Sequence, residues 1–224
     1  TNRREKDKKA RRMVDARERA KKEASGGALS SVRLPKGTNL FRFKEDKVYR
    51  LNVIPYVVKN NPDSDEGMLD YKRRYFTHGN VGPENCSYPC NFKNFGKPCA
   101  VCDKRAELLR ESGPEDRAVK SLNFKLRELW RVVDLDDRET GVQVYEGPHY
   151  NGLGELVNEK LDGSDPEDGF DRFADPDAGM VLKVRSKQDS FKTEDGGGGK
   201  FWKPSNVEMV PRKAPIDKEL VDAD

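Results

Sequence analysis

Residues 76–102 read FTHGNVGPENCSYPCNFKNFGKPCAVC and hold all four cysteines of the 224-residue chain, with one of its two histidines. Two residues separate Cys99 from Cys102, eight separate Cys90 from Cys99, and eleven separate His78 from Cys90. A short C-x2-C turn presents two thiolates at once, and ligands brought from further away close a tetrahedral shell of sulfur and nitrogen. The spacing therefore predicts a structural zinc knuckle. His78, Cys86, Cys90, Cys99 and Cys102 compete for its four places: all four cysteines, or His78 with three of them. Paired disulfides fit less well, because no secretory signal is visible and four cysteines in a chain of this length make no dense framework. Pro98-Cys99-x-x-Cys102 also matches half of the zinc-deaminase signature, but His78-Gly79-Asn80 lacks the glutamate of its H-x-E half. Four protein ligands leave no open position for water, so no catalysis is expected at this metal.

Composition sets the scale around that knuckle. Only 34% of the residues are apolar and 37% are charged, which suits one modest core with long polar flanks. The net charge of +3 hides an uneven distribution: residues 1–24 carry eleven basic and five acidic side chains, whereas residues 133–178 carry three basic and fourteen acidic. No apolar run approaches the ~18 residues of a membrane span. The expected setting is a reducing, soluble compartment.

Residues 1–27 read as a basic, flexible arm with too little apolar stripe to fold alone, ended by Ser25-Gly26-Gly27. Period-two alternation at Tyr49, Leu51 and Val53 predicts a half-buried strand, and Leu69 to Phe76 a second one entering the knuckle. Asp103 to Ser112 reads as a short helix stopped at Gly113-Pro114. Residues 117–134 fit both periods and are read as a long strand; Val142 to Tyr145 reads as its return, and Gly152 to Leu161 as a helix. Met180 to Lys187 places Leu182 and Val184 on one face and Lys183, Arg185 and Lys187 on the other. Four glycines, 196–199, precede a closing strand at Lys200-Phe201-Trp202-Lys203; a phosphate loop is excluded because Phe201 stands where Ser or Thr is required. Residues 211–224 read as a polar, acidic-leaning tail.

Five or six strands with few helices and an inserted knuckle point to a mainly β chain, an OB-fold barrel over residues 28–210 with the zinc subdomain at about 69–113. Such barrels take single strands in an open groove, where cations follow phosphates and aromatic faces stack bases at roughly 1–3 kcal/mol each. The mixture occurs in three sets. The first is Tyr71, Lys72, Arg73, Arg74 and Tyr75; the second is Phe124, Lys125, Arg127, Trp130 and Arg131. The third is Lys183, Arg185, Lys187, Phe191, Lys192, Lys200, Phe201, Trp202 and Lys203.

The order of basic arm, paired strands, histidine, cysteine, C-x2-C with a short helix, and a late VLKV strand with an aromatic-basic hairpin resembles the zinc-containing single-stranded DNA-binding, helix-destabilising proteins of T-even-like tailed bacteriophages, over roughly residues 40–210. The resemblance implies an OB barrel and one structural Zn2+ held by His78, Cys90, Cys99 and Cys102, with Cys86 a departure that keeps it an alternative ligand. It implies no enzyme but a stoichiometric binder of single-stranded DNA in phage replication, recombination and repair, in the cytoplasm of an infected bacterium. Its partners would be the DNA, itself through the amino-terminal arm, and replication proteins through acidic surfaces or the tail, with no membrane involved. A zinc-stabilised protein-interaction module and a metal-dependent nucleic-acid enzyme are the competing classes.

Overall fold

The computed structural model describes residues 38–83, 86–192 and 198–222; the basic arm of residues 1–27 and the residues 193–197 between the last two strands lie outside them. β1 (Asn39–Phe41) and β2 (Val48–Val53) are followed by a small pair, β3 (Tyr56–Val57) and β4 (Leu69–Asp70). β5 (Lys72–Val81) and β6 (Cys86–Pro89) lead into α1 (Asn91–Phe95), α2 (Ala100–Ser112) and α3 (Arg117–Ser121). The chain returns through β7 (Phe124–Asp134), β8 (Gln143–Pro148) and α4 (Leu153–Asp162), then closes with β9 (Met180–Lys192), β10 (Gly198–Pro211) and α5 (Lys218–Asp222).

β7 organises the mainly β architecture. One of its edges takes β5 along Phe124 to Trp130 and then β2 along Val132 to Asp134, while the other takes β8. β2 passes the sheet on to β9, and β9 to β10; β1 adds to β8 in parallel. The eight strands thus run in the order β1-β8-β7-β2-β9-β10, with β5 and β6 branching from β7. The sheet curls into a half-barrel whose two end strands, β1 and β10, border one cleft.

Alternation builds the inner face. In β2, Tyr49, Leu51 and Val53 point inward and Val48, Arg50 and Asn52 outward, and Leu182 and Val184 of β9 are fully buried beside them. α4 closes one end with Leu153, Val157 and Leu161, which share one helical face and expose no surface. Each such side chain stabilises the fold by roughly 1.5–3 kcal/mol. Phe41, Phe43, Tyr49 and Tyr145 meet edge to face, with centroids 5.1 to 6.4 Å apart. Pro204 offers no backbone N–H to the ladder, and the register of β10 slips there, so that Pro204 faces Ser186 and Asn206 faces Arg185. This bulge divides the hairpin into an inner half that packs Val207 and Met209 and an outer half that runs out from the core.

Several expectations change. Residues 117–134 are not one strand: Asp116 accepts from the backbone N–H groups of Ala118 and Val119 and caps α3, and β7 starts only at Phe124. The tail is not wholly solvated, because Ile216 and Val221 are buried with Ile54 and Leu69 in a second small core. Tyr71, Lys72 and Trp130, offered as nucleic-acid contacts, lie inside the fold. Their environment is set by Glu128, a buried carboxylate in the middle of β7. Lys72 Nζ lies 3.0 Å from its Oε1, His149 donates Nδ1–H to the same oxygen at 2.8 Å, and the Trp130 indole N–H reaches Oε2 at 3.0 Å. Burial alone would push this carboxyl up, but the Lys72 charge and the His149 hydrogen bond outweigh burial and hold it down at about 2.

A carboxylate held below its ordinary value of 4.5 contributes stability that is complete above that value and is lost as pH falls toward 2. The urea midpoint should therefore drop steadily between about pH 5 and pH 2. Lys72→Met should cost about 3–5 kcal/mol at neutral pH, since it strands Glu128 in the core, and should flatten that acid limb. Chemical denaturation over a pH series measures both, and a steep acid limb surviving in the variant would refute the assignment.

Candidate metal centre and aromatic cleft

Four elements deliver the metal-ligating side chains. His78 stands on β5 between Phe124 of β7 and Tyr88 of β6, fully buried. Cys90 is the N-cap of α1, where its backbone N–H bonds to Phe76 O at 2.8 Å and its sulfur accepts from the Lys93 N–H at 3.3 Å. Asn94 clamps α1 to β5, accepting from Phe76 N and donating to Phe76 O, both at 2.7 Å. Gly96 ends α1 at φ 63°, a conformation that suits glycine and turns the chain back toward Cys99. Cys99 then caps α2 and Cys102 lies in its first turn.

The ligand atoms of His78, Cys90, Cys99 and Cys102 all lie within 4.8 Å of one another. Cys99 Sγ and Cys102 Sγ stand 3.5 and 3.4 Å from His78 Nε2, and Cys90 Sγ stands 3.5 Å from Cys102 Sγ. A tetrahedron with metal–sulfur bonds of ~2.3 Å and metal–nitrogen bonds of ~2.0 Å has edges of roughly 3.5–3.8 Å, so the four atoms fit one metal ion. The shell around them agrees. His78 donates Nδ1–H to Leu122 O at 2.9 Å, which leaves the Nε2 lone pair facing the sulfurs. Burial, joined by the nearby Arg105 cation, lowers the His78 pKa against the raising effect of that hydrogen bond, and so favours the neutral, ligating imidazole. Burial pushes the Cys99 thiol up, but backbone N–H groups of Cys102, Val101 and Asn91 bring it below its ordinary value. Cys102 is pushed up to about 12 by burial and by its hydrogen bonds with Cys90 and Cys99, a crowding that a cation would relieve. No pair of cysteines is bridged, and Cys86, half-buried opposite Val81 on β6, lies outside the cluster.

A second feature lies between the ends of the curled sheet. A cleft of about 620 Å³ is lined by residues 41–43, by Arg127, by residues 145–148 with Tyr150 and Asn151, and by residues 201–204. Its walls are aromatic and its rim is cationic, with Arg42 exposed beside the buried Phe41 and Phe43. Of the sequence candidates, Arg127, Phe201, Trp202 and Lys203 reach this cleft. Phe191 extends its wall, 6.3 Å from Phe201 between centroids, and both rings are exposed. Lys187 and Lys200 are exposed on the same hairpin. Lys183 and Arg185 are paired with Glu208 and Asp46. Lys192 belongs to β9, but its side chain is outside the described set.

The other candidates stand elsewhere. Arg74 pairs with Asp63 at 2.7 Å, Arg73 donates to Asn60 O, and Tyr75 donates its hydroxyl to Glu146. Phe124 packs on Phe76 beneath Lys93, near the metal centre, with Lys125 half-buried next to it. Arg131 donates to Leu220 O at 2.5 Å and ties α5 to β7. Sequence reading missed Phe41, Arg42, Phe43, Tyr145 and Tyr150. The signal was present at Phe41-Arg42-Phe43, which alternates aromatic and basic residues as the chosen sets do. Nothing local, however, reveals that β1 would face β10.

Replacing Cys90, Cys99 or Cys102 with serine should reduce bound metal from one ion per chain toward none, whereas Cys86→Ser should leave it at one. Metal analysis of the purified variants decides this, and loss of metal from Cys86→Ser would overturn the ligand set. No protein-family model and no curated protein matches the chain.

Proposed function

We propose that this protein binds single-stranded DNA, largely without reading sequence, in the cleft between β1 and β10, and that its metal is a structural Zn2+. The observation that carries the reading is the cleft itself, with aromatic walls from Phe43, Tyr150, Phe201 and Trp202 and cations at its rim. Unpaired bases expose faces that stack on such rings, and duplex bases do not. The curled sheet supports an OB barrel, and three sulfurs with one imidazole support zinc in a closed, non-catalytic site. Lys203 at the rim pairs with Asp189, and further along the same hairpin Arg185 and Lys183 form the solvent-exposed pairs Arg185–Asp46 and Lys183–Glu208. Pairs of that kind are worth about 0–1 kcal/mol, so an incoming phosphate displaces their carboxylates at little cost.

In this reading the protein coats exposed strands during phage replication, recombination and repair, with the basic arm of residues 1–27 joining neighbouring copies. Replication proteins would meet its acidic surfaces. A second reading, a zinc-stabilised protein-interaction module, draws on Tyr88, Phe92 and Phe95, which are exposed around the metal centre.

A salt titration of labelled oligo-dT, set against duplex of equal length, tests the proposal. Affinity for the single strand should exceed that for duplex and fall steeply with salt. Phe201→Ala should weaken binding by about 1–3 kcal/mol with the salt slope unchanged, because a stacked ring releases no counterions, while Arg42→Ala should reduce the slope by about 0.7. Equal or absent binding of the two DNAs would sink the proposal and favour the interaction module.

A further inference from the structure

The lining of the cleft includes a guanidinium with one nitrogen that has no acceptor among the described residues. Arg127 is only 5% exposed; its Nε donates to Glu146 Oε1 at 2.5 Å, and the Tyr75 hydroxyl donates to the same oxygen. Its Nη1 is buried and has no hydrogen-bond partner among the described residues. Arg127 and Glu146 both line the cleft, together with Trp202 and Phe201. Leaving a buried charged donor unsatisfied is costly, so a ligand that supplies an acceptor there gains more than an exposed hydrogen bond would give.

The acceptor's chemistry follows from the charge balance. Glu146 already neutralises the guanidinium, so a phosphate brought to Nη1 would set a second anion against the carboxylate in a poorly solvated pocket. A neutral carbonyl oxygen takes the same N–H without adding charge. Thymine, cytosine and guanine carry such an oxygen on the ring edge, and adenine carries none. We propose, building on the strand-binding reading above, that the Arg127–Glu146 pair forms a base subsite in which Nη1 donates to a nucleobase carbonyl, so that the cleft disfavours adenine. The exposed rim cations take the phosphates, and the Arg127–Glu146 pair reads the base that the aromatic walls hold.

The test uses the full chain and labelled oligonucleotides in which either deoxyadenosine or deoxyinosine alternates with abasic spacers, so that no other base supplies a carbonyl. The two purines stack alike and differ by an amino group against a carbonyl at the same ring carbon. The inosine strand should bind about five- to tenfold tighter. Arg127→Lys keeps a cation for Glu146 but removes Nη1, and should bring the ratio to about one. Glu146→Gln leaves the guanidinium charge unbalanced and should admit a phosphate, steepening the salt slope by about 0.7. Equal binding of the two strands by the unaltered protein, or an unchanged ratio in Arg127→Lys, overturns the subsite while strand binding stands. Should Arg127→Lys fail to melt cooperatively, an unchanged slope in Glu146→Gln overturns it instead. Absence of binding to either strand defeats the strand-binding reading itself.

Discussion

A carboxylate with no access to water fixes the layout of this molecule. Glu128 sits in the middle of β7, and an ion buried there is tolerable only if every lone pair is met. Lys72 comes from β5, His149 follows β8, and Trp130 is two residues along β7 itself, so a single side chain draws three strands to one point. The neighbouring position must also stay small: a Cβ on Gly154, at the start of α4, would fall 2.0 Å from Glu128 Oε2. The helix that closes one end of the half-barrel approaches so closely because glycine stands there. Apolar packing surrounds this network, but the network sets the register in which β5 and β8 meet β7.

The metal centre depends on that register at one remove. β5 carries both Lys72, at its buried end, and His78, six residues on, and its pairing with β7 fixes the direction in which the imidazole points. The segment between β5 and β7, with β6 and the three helices α1 to α3, then has only to bring three sulfurs to one nitrogen. The Asn94 side chain and the Cys90 cap do so with hydrogen bonds to the backbone rather than with apolar contacts. The cleft lies at the other side of the same strand, where Tyr75 meets Glu146 and Arg127.

What could be read beforehand divides along the same physical line. Strands with one wet face announce themselves by alternation, and β2 and the inner half of β9 stand where Tyr49, Leu51, Val53, Leu182 and Val184 placed them. The cysteine spacing named a cluster of ligands because coordination chemistry is local in sequence. Spacing alone left His78 and Cys86 both open; the resemblance favoured His78, and the β5–β7 pairing is what brings His78 to the three sulfurs. Aromatic-basic alternation could not separate Tyr71 and Trp130, buried around Glu128, from Phe201 and Trp202, because both environments demand large rings next to charge. Likewise Asp116 capped a helix in a segment whose apolar residues fitted a strand equally well, and a side-chain cap decided it. Long-range contacts such as β1 facing β10 across the cleft leave no mark on any single stretch.

One feature of the metal subdomain bears on how the molecule comes apart. Neither α1 nor α2 buries a residue, although α2 is 13 residues long. Helices that bury no residue have little apolar contact to repay their lost chain entropy, and an ion bound by His78 and the three cysteines would supply much of it. The subdomain's folding equilibrium would then follow the concentration of free metal ion, whereas that of the half-barrel follows apolar burial. Amide hydrogen exchange would divide the chain into two foldons with separate control, one answering to chelators and the other to urea.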